Sequence, residues 1–290
     1  MSNYKIITDA TADLPQELVE KHEIYVIPME CSLDGTTYEF EPTAKQIHPK
    51  AYYEKMREDA TTSTSQINVF TYANFFAPIL EAGDDILYIA FSSALTGSQQ
   101  SAAIAIAELL KKYPERQILM VDSLAASLGE GLLVYAAVKK KEEGLELSAL
   151  AKWVEDYRNK LSHWFTVDDL KYLKRGGRLS AASALIGTAL RIKPVLHVDD
   201  LGRLVALDKV PGRKRSLKAL VEFMKETYTP EVFPDVFLGH ADCEEDAKFV
   251  ADYIKETIGA DVNVINYISP VIGAHSGPGT VALFHFGTHK

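Results

Sequence analysis

The stretch that decides the fold is residues 85–121, DILYIAFSSALTGSQQSAAIAIAELLKKYPERQILMV. Residues 85–91 form a short apolar run, consistent with a strand buried on both faces. Residues 98–113 are alanine-rich and long enough for a helix, and residues 117–121 are apolar again. Strand, helix and strand at this spacing make a βαβ unit. Its crossover returns the chain in the same direction, so the two strands belong to a parallel sheet.

The alternation continues outward. Residues 5–9 and 24–29 read as strands, and Asp34-Gly35 between extended residues signals a hairpin. Asp13 is a candidate N-cap for a helix that Pro15 opens and that runs to His22. Helices are expected over 49–59, 69–81 and 124–143, with a polar loop over 61–68. Later come a strand at 163–167 and a short helix at 168–175 stopped by Gly176-Gly177. A small-residue helix is expected at 181–190, and strands at 194–198 and 203–210 pair around Asp200-Leu201-Gly202. Helices at 216–228 and 244–258 alternate with strands at 232–239, 262–268 and 280–286. The chain is therefore read as α/β, with two α/β domains. Residues 1–160 would form an N-terminal parallel-sheet domain and residues 161–290 a C-terminal mixed-sheet domain.

Composition narrows the function classes. The 290 residues carry 31 Lys and Arg against 40 Asp and Glu, a net charge of −9, with 47% apolar and 24% charged residues. That balance fits a folded soluble protein and disfavours disorder and a bulk nucleic-acid binder. Two cysteines make no disulfide framework and suit a reducing cytoplasm. No apolar run approaches the roughly 20 residues of a membrane helix, and no signal peptide is visible. The eight histidines show no close metal-ligand spacing. Charge is uneven. Residues 171–218 hold twelve Lys or Arg and three Asp, a surplus of nine, which leaves −18 for the rest of the chain. This segment is either a solvated face or a basic docking face.

Three polar loops sit where α/β proteins place ligands, beyond strand ends. Ser92-Ser93-Ala94-Leu95-Thr96-Gly97-Ser98 joins the strand and helix of the opening stretch. Its hydroxyls and amides suit an anion, and without a Gly-Lys-Ser/Thr pattern a carboxylate is a better match than a nucleotide. Simple N-capping by Thr96 or Ser98 is the competing explanation. Thr64-Ser65-Gln66 is the second loop, and turn formation is its plain alternative. The third, Gly273-Ala274-His275-Ser276-Gly277-Pro278-Gly279, is expected to hold His275 on a rigid backbone as an anion donor. Ser93, His275 and Asp122 also suggest a hydrolase triad, although no Gly-x-Ser-x-Gly elbow surrounds the serine.

In order along the chain these pieces resemble the DegV-like fatty acid-binding family of bacteria. Residues 7–14, ITDATADL, are similar to its Asp-Ser-x-x-Asp-Leu opening. Thr64-Ser65-Gln66 resembles its Thr-Ser-Gln-Pro loop, with Ile67 in place of proline. Residues 92–98 resemble Ser-Ser-x-Leu-Ser-Gly-Thr, with Ala94 where glycine is common. Val121-Asp122-Ser123, the Leu-Lys-Arg-Gly-Gly-Arg-Leu of residues 173–179, Lys193-Pro194 with Asp200-Leu201-Gly202, and the Gly-x-His-x-Gly-Pro-Gly of residues 273–279 complete the series.

The resemblance implies one long-chain fatty acid held between the two domains, with its acyl chain buried. Thr64, Ser65, Ser93, Ala94 and His275 would bind the carboxylate. The small-residue helix offers Leu185, Ile186, Ala189 and Leu190 as candidates for the acyl pocket, with plain core packing as the competing explanation. It further implies a non-catalytic subunit of a fatty acid kinase, serving phospholipid metabolism in the cytoplasm. The ligand would be presented to a separate ATP-using subunit that makes the acyl phosphate. Arg175, Arg178, Arg213 and Arg215 are candidates for docking that partner or attracting ATP phosphates. No metal, other cofactor or nucleic acid is expected, and peripheral contact with a membrane is compatible with this role. The alternative is a lipid esterase using Ser93 and His275.

Overall fold

The structure is a computed structural model. It describes residues 3–43, 46–179 and 192–290. The N-terminal part contains β1 (Tyr4–Asp9), α1 (Gln16–Lys21), β2 (Tyr25–Ile27), β3 (Met29–Leu33), β4 (Thr36–Phe40), α2 (Pro49–Arg57), β5 (Thr62–Thr64) and α3 (Val69–Glu81). β6 (Asp85–Ala90), α4 (Ser98–Lys112), β7 (Ile118–Asp122), α5 (Leu128–Glu142) and α6 (Leu147–Tyr157) follow. Then come β8 (Leu161–Thr166), α7 (Lys171–Arg175), β9 (Ile192–Val198), β10 (Leu204–Pro211), α8 (Arg213–Thr227) and β11 (Val236–His240). α9 (Glu244–Thr257), β12 (Val264–Tyr267), α10 (Pro270–Ser276) and β13 (Val281–Phe286) close the chain. The helix expected at 181–190, with Leu185, Ile186, Ala189 and Leu190, lies outside the described residues.

The βαβ reading holds. β2, β1, β6 and β7 pair in that order, all parallel. Every residue of β6 is buried, as a strand covered on both faces requires. The mixed sheet runs β10-β9-β8-β13-β11-β12, parallel only between β11 and β12. The Asp34-Gly35 hairpin joins β3 and β4, and β5 pairs with the other edge of β3.

The mixed sheet is buried on both faces. Trp164, Leu238 and Leu283 face α8 and α9, whose Leu217, Leu220, Val250 and Ile254 complete that cluster. Phe165, Phe237 and Phe284 point the other way, into the core shared with the parallel sheet. α5 lies between the two sheets, touching β1, β6, β8, β11 and β13. It is buried nearly all round, and its first turn is stripped of bulk: Gly129 abuts His163, and Gly131 abuts the Ala12 carbonyl.

Four details depart from the sequence reading. Asp13 does not cap α1. It follows a short turn capped by Asp9, adopts a left-handed backbone with φ 52°, and accepts a hydrogen bond from Ser127 Oγ. The loop over 61–68 includes β5, whose partner strand β3 supplies the backbone bonds that its polar residues gave no sign of. α6 is a helix the sequence reading does not include, although Leu147, Leu150, Ala151 and Val154 are its buried stripe. The loop around His275 is partly helical: Ser269 accepts from Ile272 N and Pro270 sits at the first position, starting α10.

Candidate functional site

A cavity of about 350 Å³ opens between the parallel-sheet loops and the mixed sheet. This lies within the range of small-molecule sites. Its walls are mainly apolar, among them Phe91, Leu95, Phe165, Leu173, Ile268, Val271 and Phe284. One end is polar, where Thr64, Ser65, Gln66, Thr96, Gly97, Arg178 and His275 meet, and Ser127, His163, Ser276 and Thr280 are further polar residues of the wall. Ser65 and Gln66 are exposed there, so this end faces solvent.

Several elements converge on that end. Thr64 closes β5, which is pinned to α10 by Thr62 Oγ1 donating to the Ala274 carbonyl at 3.2 Å. Thr64 Oγ1 and His275 Nε2 are hydrogen-bonded at 2.8 Å. Gly176 of the Gly-Gly stop lies flat against the imidazole; a β-carbon there would stand 2.3 Å from His275 Nδ1. Burial, and then the nearby Arg178 and Arg175 charges, pull the pKa of His275 down to about 4. The ring is therefore neutral at physiological pH and acts through a single N–H rather than as a cation.

The Thr96 loop carries a relay of hydroxyls. Ile67 N donates to Ser98 Oγ at 3.1 Å, Ser98 N donates to Thr96 Oγ1 at 3.2 Å, and the two hydroxyl oxygens lie 2.9 Å apart. With Ser98 donating to Thr96, the Thr96 proton is left for a ligand. Gly97 lets the Gln66 side chain close against this turn, since a β-carbon would meet Gln66 Oε1 at 2.3 Å. Ser276 is also a residue of the cavity wall; it is buried, and its Oγ has no partner among the described residues.

Thr64, Ser65, Arg178 and His275 thus come together at the cavity, whereas Ser93 and Ala94 do not line it. Both are exposed; Ser93 Oγ donates to Asp122 Oδ2 at 2.5 Å and Ala94 N donates to Ser92 Oγ at 3.3 Å. The turn after β6 aims Thr96 inward and Ser93 outward, so Thr96 is the cavity hydroxyl of this loop. This geometry also removes the triad. Ser93 engages Asp122 directly and His275 engages Thr64, so serine and imidazole form no nucleophile–base pair.

The four arginines separate as well. Arg178 lines the cavity and reaches the carbonyls of Leu95 and Gly176. Arg175 is exposed, donates to Thr62 Oγ1 at 2.9 Å and stacks over Tyr172. Arg213 is half-buried and paired with Asp168 and Asp246, so its charge is already satisfied within the chain. Arg215 is exposed on α8. Among the described residues no cluster of His, Cys, Asp and Glu could hold a metal, and no helix is long and apolar enough to cross a membrane.

The family model described as "Uncharacterised protein, DegV family" matches residues 3–287. The chain belongs to the DegV family. A DegV domain-containing protein of Clostridium perfringens is 43% identical over 290 residues, covering 100% of this chain and 99% of that one. Among solved structures, a DegV family protein from Thermus thermophilus, described for its fatty acid binding, is 31% identical with a TM-score of 0.86. The match covers 98% of this chain and 99% of that one. A fatty acid (stearic acid)-binding protein from Eubacterium ventriosum is 26% identical, with a TM-score of 0.87 and coverage of 97% and 98%. The DegV fold is thus matched over almost the whole chain.

Proposed function

We propose that this DegV protein binds one long-chain fatty acid, its acyl chain in the cavity and its carboxylate at the Thr64, Thr96 and His275 end. The observation that carries this reading is a mainly apolar cavity with a polar end that faces solvent at Ser65 and Gln66. Burying each methylene is worth about 0.8 kcal/mol, so a chain of some 15 carbons supplies ample gross affinity before binding costs. The carboxylate needs donors, and Thr96 and the Thr64–His275 pair provide them. Arg178 adds a positive charge that favours the ionised head group. Fatty acid binding described for the Thermus thermophilus and Eubacterium ventriosum proteins supports the same ligand class.

The polar end opens at the surface, and Arg175 is exposed beside it. This arrangement suits presentation of the carboxyl group to a separate ATP-using subunit, which would perform the phosphoryl transfer while this chain binds and orients. The test is a set of variants with fatty acid affinity and acyl phosphate formation as readouts. Thr64→Val and Thr96→Val each weaken binding by roughly five- to a hundredfold, matching about 1–3 kcal/mol for an oxygen left unpaired. Ser93→Ala has a smaller effect. Equal tolerance of all three would remove the head-group assignment. Acyl phosphate formation that proceeds equally without this chain would remove the presenting role.

A further inference from the structure

The helix pair that starts at the cavity mouth turns an uncharged, apolar face to solvent. Gln66 and Gly97 line the mouth and stand just before α3 and α4. The two helices run side by side in the same direction. Their starts are joined where Ile67 N donates to Ser98 Oγ, and their ends where Lys112 and Tyr113 donate to Glu81. The water side includes Phe70, Asn74 and Pro78 of α3 and Ala103, Ile104 and Ala107 of α4. Phe70 is 74% exposed, the most of any large apolar side chain among the described residues, and Ile104 is 55% exposed. With Ile67 and Ser98 level, Phe70 and Ile104 stand about 4.5 Å apart along the helix axes, at 1.5 Å per residue. Packed axes lie about 8–10 Å apart, so the two side chains belong to one patch.

Charge sets this face apart from the other helices. Residues 61–80 and 86–107 contain no Asp, Glu, Lys, Arg or His. By contrast, α8 faces water with Arg215, Glu222 and Lys225, and α9 with Glu245, Lys248 and Asp252. Single apolar side chains on a surface are ordinary, whereas an apolar patch on a charge-free helix pair marks a contact surface.

The chain's own charge indicates which partner fits. Each copy carries −9, so two copies repel unless the surfaces that meet are free of charge. A two-fold contact sets a patch against itself and brings each charge near the axis up to its like. An uncharged face escapes both penalties. Phe70 supplies the aromatic anchor such contacts favour, and Ala103 and Ala107 let a second helix approach closely. We propose that the α3–α4 face pairs with the same face of a second copy, forming a two-fold dimer. The partner copy then lies beside the mouth of each cavity. The proposal is independent of what the cavity holds.

Analytical ultracentrifugation of the full chain over a range of concentrations and salt tests it. The expected result is a monomer–dimer equilibrium that tightens as salt rises, because screening relieves the repulsion between copies. Phe70→Glu and Ile104→Glu each weaken the dimer by about tenfold or more, since each sets a carboxylate against its like. Leu201→Glu, at a side chain 60% exposed on the turn between β9 and β10, leaves the dimer intact. None of the three residues lines the cavity, so all three variants keep the circular dichroism spectrum and fatty acid affinity of the unaltered chain. A chain that stays monomeric at every concentration and salt overturns the proposal, including one that instead binds phosphatidylcholine vesicles through Phe70. A dimer that survives both Phe70→Glu and Ile104→Glu overturns it as well, as does one that Leu201→Glu disrupts equally. Any of these failures leaves the fatty acid reading standing.

Discussion

At the residue scale, two groups set the chemistry of the molecule by being buried. His275 is held neutral at the cavity mouth, and Gly176 fixes its ring by close approach. Gly176→Ala must push the imidazole away from Thr64, so fatty acid affinity should fall about tenfold or more while the chain still folds; an unchanged affinity would show that His275 takes no part. Asp13 is the second group. Burial raises its pKa to about 7, against the hydrogen bonds from Ser127 and Ser269. The folded state thus holds a proton that the unfolded chain releases above its ordinary value of 3.8. Asp13 therefore makes the fold lose stability as pH rises from about 4 through about 7. Asp13→Asn removes this cost, so its stability relative to the unaltered chain should improve by about 1–4 kcal/mol between pH 5 and 8 in chemical denaturation. A difference that stays flat with pH would refute the assignment. Sequence made Thr64 and His275 visible because each stands in a distinctive loop. It could not separate Ser93 from Thr96, since both are hydroxyls in one turn and only the backbone path decides which points inward.

At the scale of elements, most long periodic segments are legible; α6 is the exception, although Leu147, Leu150, Ala151 and Val154 follow helical spacing, and the short β5 and α10 are not legible either. α3 runs over Val69–Glu81 as its apolar spacing demands, and Asp34-Gly35 closes the hairpin expected of it. β5 has three residues and depends on β3 for its backbone bonds, a nonlocal cause that no local pattern records. α10 is different, because Ser269-Pro270 is a recognisable start signal that was overshadowed by the glycines following it. The Ser269 cap makes a direct prediction. Ser269→Ala should cost about 1 kcal/mol of stability and weaken fatty acid binding through displacement of His275, both measurable in one titration series. Full stability with full affinity would mean that α10 stands without its cap.

At the scale of the whole molecule, the arrangement explains how a chain with 47% apolar residues and no membrane-spanning helix among its described residues could carry a lipid. Part of its apolar surface lines a cavity rather than filling a core. The basic segment is thinner as a docking face than its charge suggests. Lys193 and Arg213 pair with Asp168, and Arg203 pairs with Asp199. A ligand that binds only the folded state stabilises it by mass action. Free fatty acid at a hundred times its dissociation constant should add about 2.7 kcal/mol and raise the melting temperature accordingly, whereas a ligand without the carboxylate, such as the alkane of equal length, should add much less.

Native mass spectrometry of the chain as purified from its expression host tests the central claim most directly. The account predicts an excess mass equal to one long-chain fatty acid, lost on denaturation and recovered by adding fatty acid to stripped protein. A chain that is consistently empty, and that remains empty with excess palmitate or oleate, would contradict it.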